Sequence, residues 1–361
     1  MYFQTAIRLA APVAFFGYAA FANIALFQAD VEGPHLDGFV KGGFTQDVDT
    51  LYRANLPHRE VAVGWVGAAR YVLLNEGRKG VIAGEKGWLF SSEEFRAQDP
   101  DQIGLTDTLD WIASVQEQLS KTGTELVIVP LPAKLEIAQI HGGDAEQAQS
   151  IAGTYDLFLA ELAARDIVTV DTRAALTAET AAFFQTDTHW TSAGARTVAQ
   201  TVAASGTIEI GVDKFTRTDL DPIHFTGDLV SFVTSEELAP TVGLTMETVT
   251  PYVAEMVAND EATGTIDLFG SDGPAPIALV GTSYSANPNW SFAEALKLEL
   301  AQDILNYAEE GQGPVAPMRA YLETLDPAEA PPIVIWEFPV RYLSDPALMD
   351  SLLPTNGDDN V

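Results

Sequence analysis

The sequence predicts an α/β fold in which a largely parallel sheet is covered by helices on both faces. Short unbroken apolar runs, Leu126-Val127-Ile128-Val129, Ile277-Ala278-Leu279-Val280 and Ile333-Val334-Ile335-Trp336, have the continuous hydrophobicity of strands buried on two sides. They alternate with segments whose apolar residues recur at helical spacing, the order that builds parallel sheets. The chain has 361 residues, 47% of them hydrophobic, enough for a large core. It contains no cysteine, which removes disulfides, thiol catalysis and thiolate metal sites from consideration.

Arg8 is the only charged residue before Asp30, and residues 9–27 are apolar except at Pro12, Gly17, Tyr18 and Asn23. A bilayer span needs roughly 17 to 25 residues. The segment therefore reads as an inner-membrane anchor, as a signal peptide with Ala20-Phe21-Ala22 as its cleavage site, or as a buried core helix. The first two readings place the chain from Asp30 onward in the periplasm. The expected division is an anchor or signal peptide over 1–29, a linker over 30–46, a catalytic body over 47–346 and a tail over 347–361.

Within the body, residues 61–74 have helical periodicity, and 80–90 read as a hairpin around Gly84-Glu85-Lys86-Gly87. A helix over 105–121 leads into the strand beginning at Glu125. A second over about 150–165 leads into a strand over 167–170. Thr191-Ser192 caps a helix reaching about Ala204. Residues 206–264, rich in acids, Thr and Pro, read as an insertion or edge region. The strand at 277–280 is followed by a helix over about 292–305 and by the last strand at 333–336.

Asp and Glu number 51 against 19 Lys and Arg, a formal charge of −32. Such a surface excludes nucleic acid as a partner and reads as a solvated acidic face suited to salty surroundings.

The chemistry gathers at two short stretches. Val280-Gly281-Thr282-Ser283-Tyr284-Ser285 sets a serine at the carboxyl end of a strand, the edge where open α/β sheets bind ligands. Asp187-Thr188-His189-Trp190 supplies a carboxylate and an imidazole in a chain with only five histidines. Serine needs an imidazole to take its proton and a carboxylate to hold that imidazole's tautomer. The candidates are therefore Ser283 as nucleophile, His189 as base and Asp187 as orienter. In an extended loop, residues i and i+2 point the same way, which lets Asp187 reach Nδ1 while Nε2 faces Ser283. His189 and Asp187 are also a fragment of a metal site, but no second histidine lies near enough in sequence to complete a common zinc set.

Candidate oxyanion donors are the Ser283 backbone N–H and the side chains of Asn287 and Asn289, with Tyr284 beside them. Trp190 reads as core packing more readily than as a sugar platform. Lys134 and Arg341 are candidates for contacting substrate, although Arg341 fits a structural ion pair equally well.

At these residues the chain resembles the SGNH-hydrolase-like alginate O-acetyltransferases of the AlgJ/AlgX type. Leu56-Pro57-His58-Arg59-Glu60, Gly84-Glu85-Lys86-Gly87-Trp88-Leu89-Phe90, Pro130-Leu131-Pro132-Ala133-Lys134, Gly227-Asp228-Leu229 and Trp336-Glu337-Phe338-Pro339-Val340-Arg341-Tyr342-Leu343 match further motifs. Leu56 departs from the aromatic common at its position. The resemblance implies a flavodoxin-like α/β/α sandwich, permuted because Asp and His precede the serine. It also implies acetyl transfer through an acyl-Ser283 intermediate onto hydroxyls of an exported polysaccharide, with a membrane-bound acyltransferase supplying the acetyl group.

The anchored, single-domain J-type is the closer likeness. The chemistry calls for no cofactor or metal. Two other readings use the same residues: an SGNH-type esterase or polysaccharide deacetylase, and a non-catalytic polysaccharide export component. A charge of −32 opposes an anionic acceptor unless Arg59, Lys134 and Arg341 converge on a local basic patch. The alternative acceptor is a neutral glycan such as cellulose, and family likeness tips the expectation toward an anionic one.

Overall fold

The computed structural model of the chain describes residues 2–28, 42–56, 58–96, 104–257 and 277–345. Residues 30–41 of the expected linker, 258–264 of the insertion region and the expected tail at 347–361 lie outside the described residues. Helices α1 (Tyr2–Gln28), α2 (Gly43–Asn55) and α3 (Arg59–Leu74) precede an antiparallel hairpin of β1 (Val81–Ala83) and β2 (Leu89–Ser91). Helix α2 takes in the end of the expected linker, so regular structure resumes at Gly43 rather than near Asp47.

The body then alternates. Helix α4 (Leu105–Ser120) leads into β3 (Glu125–Leu131), and the short α5 (Lys134–Ile137) and α6 (Gln139–Gly142) lead to α7 (Ala145–Ala163) and β4 (Val168–Thr169). Helices α8 (Arg173–Ala178) and α9 (Ser192–Ala204) come next. The expected insertion region holds two small antiparallel pairs: β5 (Phe215–Asp219) with β8 (Tyr252–Met256), and β6 (Ile223–Phe225) with β7 (Glu247–Val249). The chain returns through β9 (Ile277–Val280), α10 (Ser283–Ala286), α11 (Phe292–Leu300), β10 (Ile304–Asn306), α12 (Val315–Thr324) and β11 (Ile333–Pro339).

Among the described residues, five strands form the central sheet in the order β10-β9-β11-β3-β4, every neighbouring pair parallel. Successive side chains of a strand leave opposite faces, so each apolar run feeds two cores. Val127, Val129, Ile277, Leu279 and Ile335 pack with Val198 and Val202 of α9 and Leu296 and Leu300 of α11. Leu126, Ile128, Ala278, Val280, Val334 and Trp336 pack with Ile112 of α4, Phe158 of α7 and Met318 of α12. The result is the three-layered α/β/α arrangement that unbroken hydrophobic strands require.

Caps set several boundaries. Asp144 accepts from the Gln147 N–H at 2.9 Å, so α7 begins five residues before its expected start at 150. Thr191 accepts from the Gly194 N–H at 3.1 Å and opens α9 where expected. The helix expected over 292–305 instead ends at Leu300, where Ala301 turns left-handed at φ 52°. The N–H groups of Gly211 and Asp213 take the carbonyls of Leu300 and Ala301, releasing Ile304–Asn306 to pair with β9 as an edge strand.

The inner-membrane anchor expected at residues 9–27, and the localisation built on it, are corrected. Among the described residues no helix is long and apolar enough to cross a membrane. Helix α1 directs Ala22 and Leu26 into protein contacts, and its Asn23 side chain accepts from the Tyr52 hydroxyl of α2 while donating to the Ala19 carbonyl at 2.7 Å.

Leu279 is fully buried in the strand that carries the site. Leu279→Ala is expected to lower unfolding free energy by about 3 kcal/mol in denaturant titration. A loss below about 1 kcal/mol would show that β9 is not the packed centre of the sheet.

Candidate active site

Strand β9 ends at Val280, which pairs with Trp336 of β11, so the next residues, Gly281 and Glu337, lie side by side at the carboxyl edge. A Cβ at Gly281 would stand 2.6 Å from Glu337 Oε2 and 3.0 Å from the Glu337 carbonyl oxygen, so the turn requires glycine. Glu337 is fully buried and accepts from the Thr282 N–H at 3.1 Å, the Thr282 hydroxyl at 3.1 Å and the Ser285 hydroxyl at 2.7 Å. Ser283 opens α10 directly above this bonded turn.

The second half of the site is a run of bends closed by an antiparallel bridge between Phe183 and Trp190. It is not the extended loop expected from sequence. Asp187 Oδ1 accepts both the His189 backbone N–H at 2.9 Å and the ring Nδ1 at 2.6 Å, an Asx-type turn that folds the imidazole back onto its carboxylate. Nδ1 faces an acceptor and so carries the proton. Nε2 then points its lone pair at Ser283 Oγ, 2.7 Å away.

Several groups hold this geometry. Trp290 lies nearly parallel to the imidazole, ring centroids 5.4 Å apart. Asp187 Oδ2 accepts from the Asp228 N–H at 2.9 Å, while the Asp228 carboxylate takes the Thr188 N–H at 2.9 Å and the Thr188 hydroxyl at 2.6 Å. Gly227 lets Asp228 come this close, since a Cβ there would stand 2.3 Å from the Thr186 carbonyl. The Tyr284 hydroxyl donates to the Thr188 carbonyl, tying the serine turn to the histidine loop.

Electrostatics separate the buried acids. Burial pushes Asp187 up, but hydrogen bonds and charge from His189 and the Asp228 N–H outweigh it and hold this carboxyl below the usual aspartate value. Burial and then the charge of Asp187 push Asp228 up. Burial raises Glu337 to about 7 against the pull of its three donors and Arg341.

The sequence-derived residues separate into two groups. Ser283, His189 and Asp187 meet. Trp190 is fully buried in the core and donates its indole N–H to the Tyr284 carbonyl at 3.1 Å, so it is not a sugar platform. Tyr284 is buried too, its hydroxyl accepting from Arg341 at 2.7 Å. Arg341 borders the cleft, but its guanidinium bonds Tyr284 and, at 3.1 Å, Glu93.

Lys134 is a further correction. It is buried beside the rings of Trp88 and Phe90, and its ammonium donates to the carbonyls of Leu89, Gln185 and Asp187 at 2.6, 3.1 and 2.8 Å. Burial lowers its pKa to about 8. Lys134 therefore clamps the Asp187 loop and is not presented to an acceptor. Asn287 and Asn289 bond each other locally, Asn289 N–H to Asn287 Oδ1 at 3.0 Å, and line a separate cleft of about 320 Å³.

The cleft in front of Ser283 and His189 has a volume of about 460 Å³ and is bordered by Lys79, Ser92, Glu93, Asp228, Arg341 and Tyr342. A neighbouring cleft of about 630 Å³ shares Asp228 and is lined by Arg59 and Arg78. Arg59, Lys134 and Arg341 thus occupy three different settings and form no common basic patch.

Asp187, His189 and Asp228 bring donor atoms within 4.8 Å of one another. Their lone pairs already meet protein donors: both Asp187 oxygens, both Asp228 oxygens, and His189 Nε2, which faces the Ser283 hydroxyl. This set fits a hydrogen-bonded relay better than a cation cage. The contacts of Glu337, Asp228 and Trp290 carry no local mark in the sequence. The first two stand inside motifs of the family pattern, and Trp290 comes directly after Asn287-Pro288-Asn289, just beyond the serine.

Comparison with known proteins agrees in extent and in fold. Residues 81–340 match the family model described as the SGNH hydrolase-like domain, acetyltransferase AlgX. A Pseudomonas syringae pv. tomato protein named "Probable alginate O-acetylase AlgJ" is 36% identical over 312 residues, covering 84% of this chain and 79% of the relative. Its namesake from Pseudomonas aeruginosa is 35% identical over 330 residues, covering 88% and 83%. The solved O-acetyltransferase domain of Pseudomonas putida AlgJ superposes with a TM-score of 0.62 at 31% identity, over 76% of this chain and 98% of that domain. The chain belongs to the SGNH hydrolase-like acetyltransferase family of AlgX and AlgJ.

Proposed function

We propose that the chain is an O-acetyltransferase that carries an acetyl group on Ser283 and delivers it to a hydroxyl of an alginate-like exported polysaccharide. The observation that carries this reading is the continuous chain Asp187 Oδ1, His189 Nδ1, His189 Nε2, Ser283 Oγ, with links of 2.6 and 2.7 Å, opening on a cleft. The relatives' names as alginate O-acetylases support the reaction class and the polysaccharide.

In the first half-reaction Ser283 Oγ attacks the acetyl carbonyl and His189 Nε2 takes the hydroxyl proton. Asp187 stays ionised and stabilises the imidazolium. The proton passes to the departing donor group, leaving acetyl on Ser283. In the second half-reaction a sugar hydroxyl loses its proton to the same Nε2 and attacks the acyl carbon. Ser283 Oγ departs with that proton. The Ser283 backbone N–H, at the start of α10, is the oxyanion donor in this scheme. A separate membrane-bound acyltransferase supplies the acetyl group, as the family resemblance implies.

Ser283→Ala is expected to lower acetyl transfer from a model ester to a uronate oligosaccharide at least about a thousandfold, measured by mass gain of the oligosaccharide. Free acetate without acetylated sugar in the wild type would replace transfer by hydrolysis. Unchanged polymer acetylation in cells carrying Ser283→Ala would make the protein a non-catalytic export component.

Asp187→Asn keeps the side-chain shape but removes the charge that favours an imidazolium. It is expected to lower the turnover number about a thousandfold with little change in KM. A loss confined to KM would instead assign Asp187 to acceptor binding.

A further inference from the structure

We infer that Glu337 is a positioning residue for Ser283, a buried carboxylate that holds the Thr282 to Ser285 turn from beneath. The inference rests on the reading of Ser283 as the nucleophile. Three donors converge on Glu337: one amide N–H and two hydroxyls, all from residues flanking Ser283. A carboxylate is acceptor-only and suits three donors, whereas a carboxylic acid brings in a fourth hydrogen and forces one hydroxyl to turn round.

Neither neighbouring strand sets a charge beside it. Its partner on β3 is Val129, and its neighbour beyond β9 is Gly281. Arg341, just past β11, is a charged group whose field reaches Glu337 and favours the ionised form, although its own N–H groups are bound to Glu93 and Tyr284. Glu337 does not touch the cleft, so its action on the reaction passes through Thr282 and Ser285.

Ionisation of this group opposes stability. A carboxyl whose pKa is raised from 4.5 to about 7 on folding binds its proton more tightly in the native state. Its stabilising contribution is full below the unfolded value and is lost as pH rises through about 7. The same rise in pH creates the anion that holds the turn. Stability and Ser283 reactivity should therefore respond to Glu337 in opposite directions, which a neutral structural strut would not produce.

The test is the rate at which a fluorophosphonate ester labels Ser283 between about pH 5 and 9, together with thermal unfolding over the same range. In the wild type, reactivity is expected to fall on acidification with two protonations. Glu337→Gln is expected to label about tenfold more slowly at alkaline pH with a single remaining protonation, and to gain Tm relative to the wild type as pH rises. Ser285→Ala removes one donor and is expected to move the acid limb to higher pH.

Wild-type rates and profile shape in Glu337→Gln would overturn the inference. If that variant does not fold, an acid limb left in place by Ser285→Ala overturns it. Labelling that persists in Ser283→Ala would overturn the nucleophile assignment instead.

Discussion

Parallel pairing of β9 with β11, in the register that sets Ile277 beside Ile333 and Val280 beside Trp336, carries the candidate site. It delivers Gly281 and Glu337 to the same point on the sheet edge, and the missing Cβ of Gly281 makes room for the acid. Side chains alternate along a strand, so a slip of one residue would send Ile277 and Leu279 to the α4 and α7 side and Ala278 and Val280 to the α9 side. Both cores resist that slip, because from β3, β9 and β11 each takes residues of one parity only. Hydrophobic burial thereby fixes the position of a hydroxyl that makes no hydrophobic contact itself.

The histidine is held by a different means. Its loop has little regular structure, so side chains replace the backbone ladder: Lys134 gathers three carbonyls, Asp228 takes two donors from Thr188, and Trp290 covers one face of the ring. The Tyr284 hydroxyl bonded to the Thr188 carbonyl joins this assembly to the serine turn. Such a site is ordered before any substrate arrives, so reorganisation need not be met during the reaction. The cost falls on stability, through buried acids whose environments split their proton affinities, Asp187 downward and Asp228 and Glu337 upward.

This division decides how much of the molecule is legible in its sequence. Strands buried on both faces announce themselves as unbroken apolar runs, so β3, β9 and β11 were readable, as was Ser283 at the end of one of them. Asp187 and His189 stand out as a carboxylate and an imidazole two residues apart, and the structure brings both beside Ser283. Glu337 was not, since an acid beside Trp336 and Phe338 in a strand carries no local mark of what lies across the register. Lys134 and Arg341 misled for the opposite reason: a cation in a motif looks available, and only packing reveals carbonyls, Glu93 and Tyr284 around it. Strand β10 was hidden because helical periodicity continues past Leu300, while the caps that end α11 come from Gly211 and Asp213, far away in sequence. Apolarity at residues 9–27 likewise records a hydrophobic helix without naming what covers it.

The acidic surface bears on the proposed acceptor through range. A formal charge of −32 repels a polyanion at long distance, but at physiological ionic strength screening confines that repulsion to about 8 Å. Inside that distance the lining of the cleft matters more than the total. There Lys79, Arg96 and Arg341 stand against Glu93 and Asp228, and Arg341 and Arg96 are paired with Glu93 at 3.1 and 3.7 Å. The opening in front of Ser283 is thus close to charge balance within a molecule that is far from it. In the proposed reaction a polyanionic acceptor meets repulsion on approach and near-neutral surroundings at Ser283, so salt acts on encounter and not on the bonded geometry around Ser283 and His189.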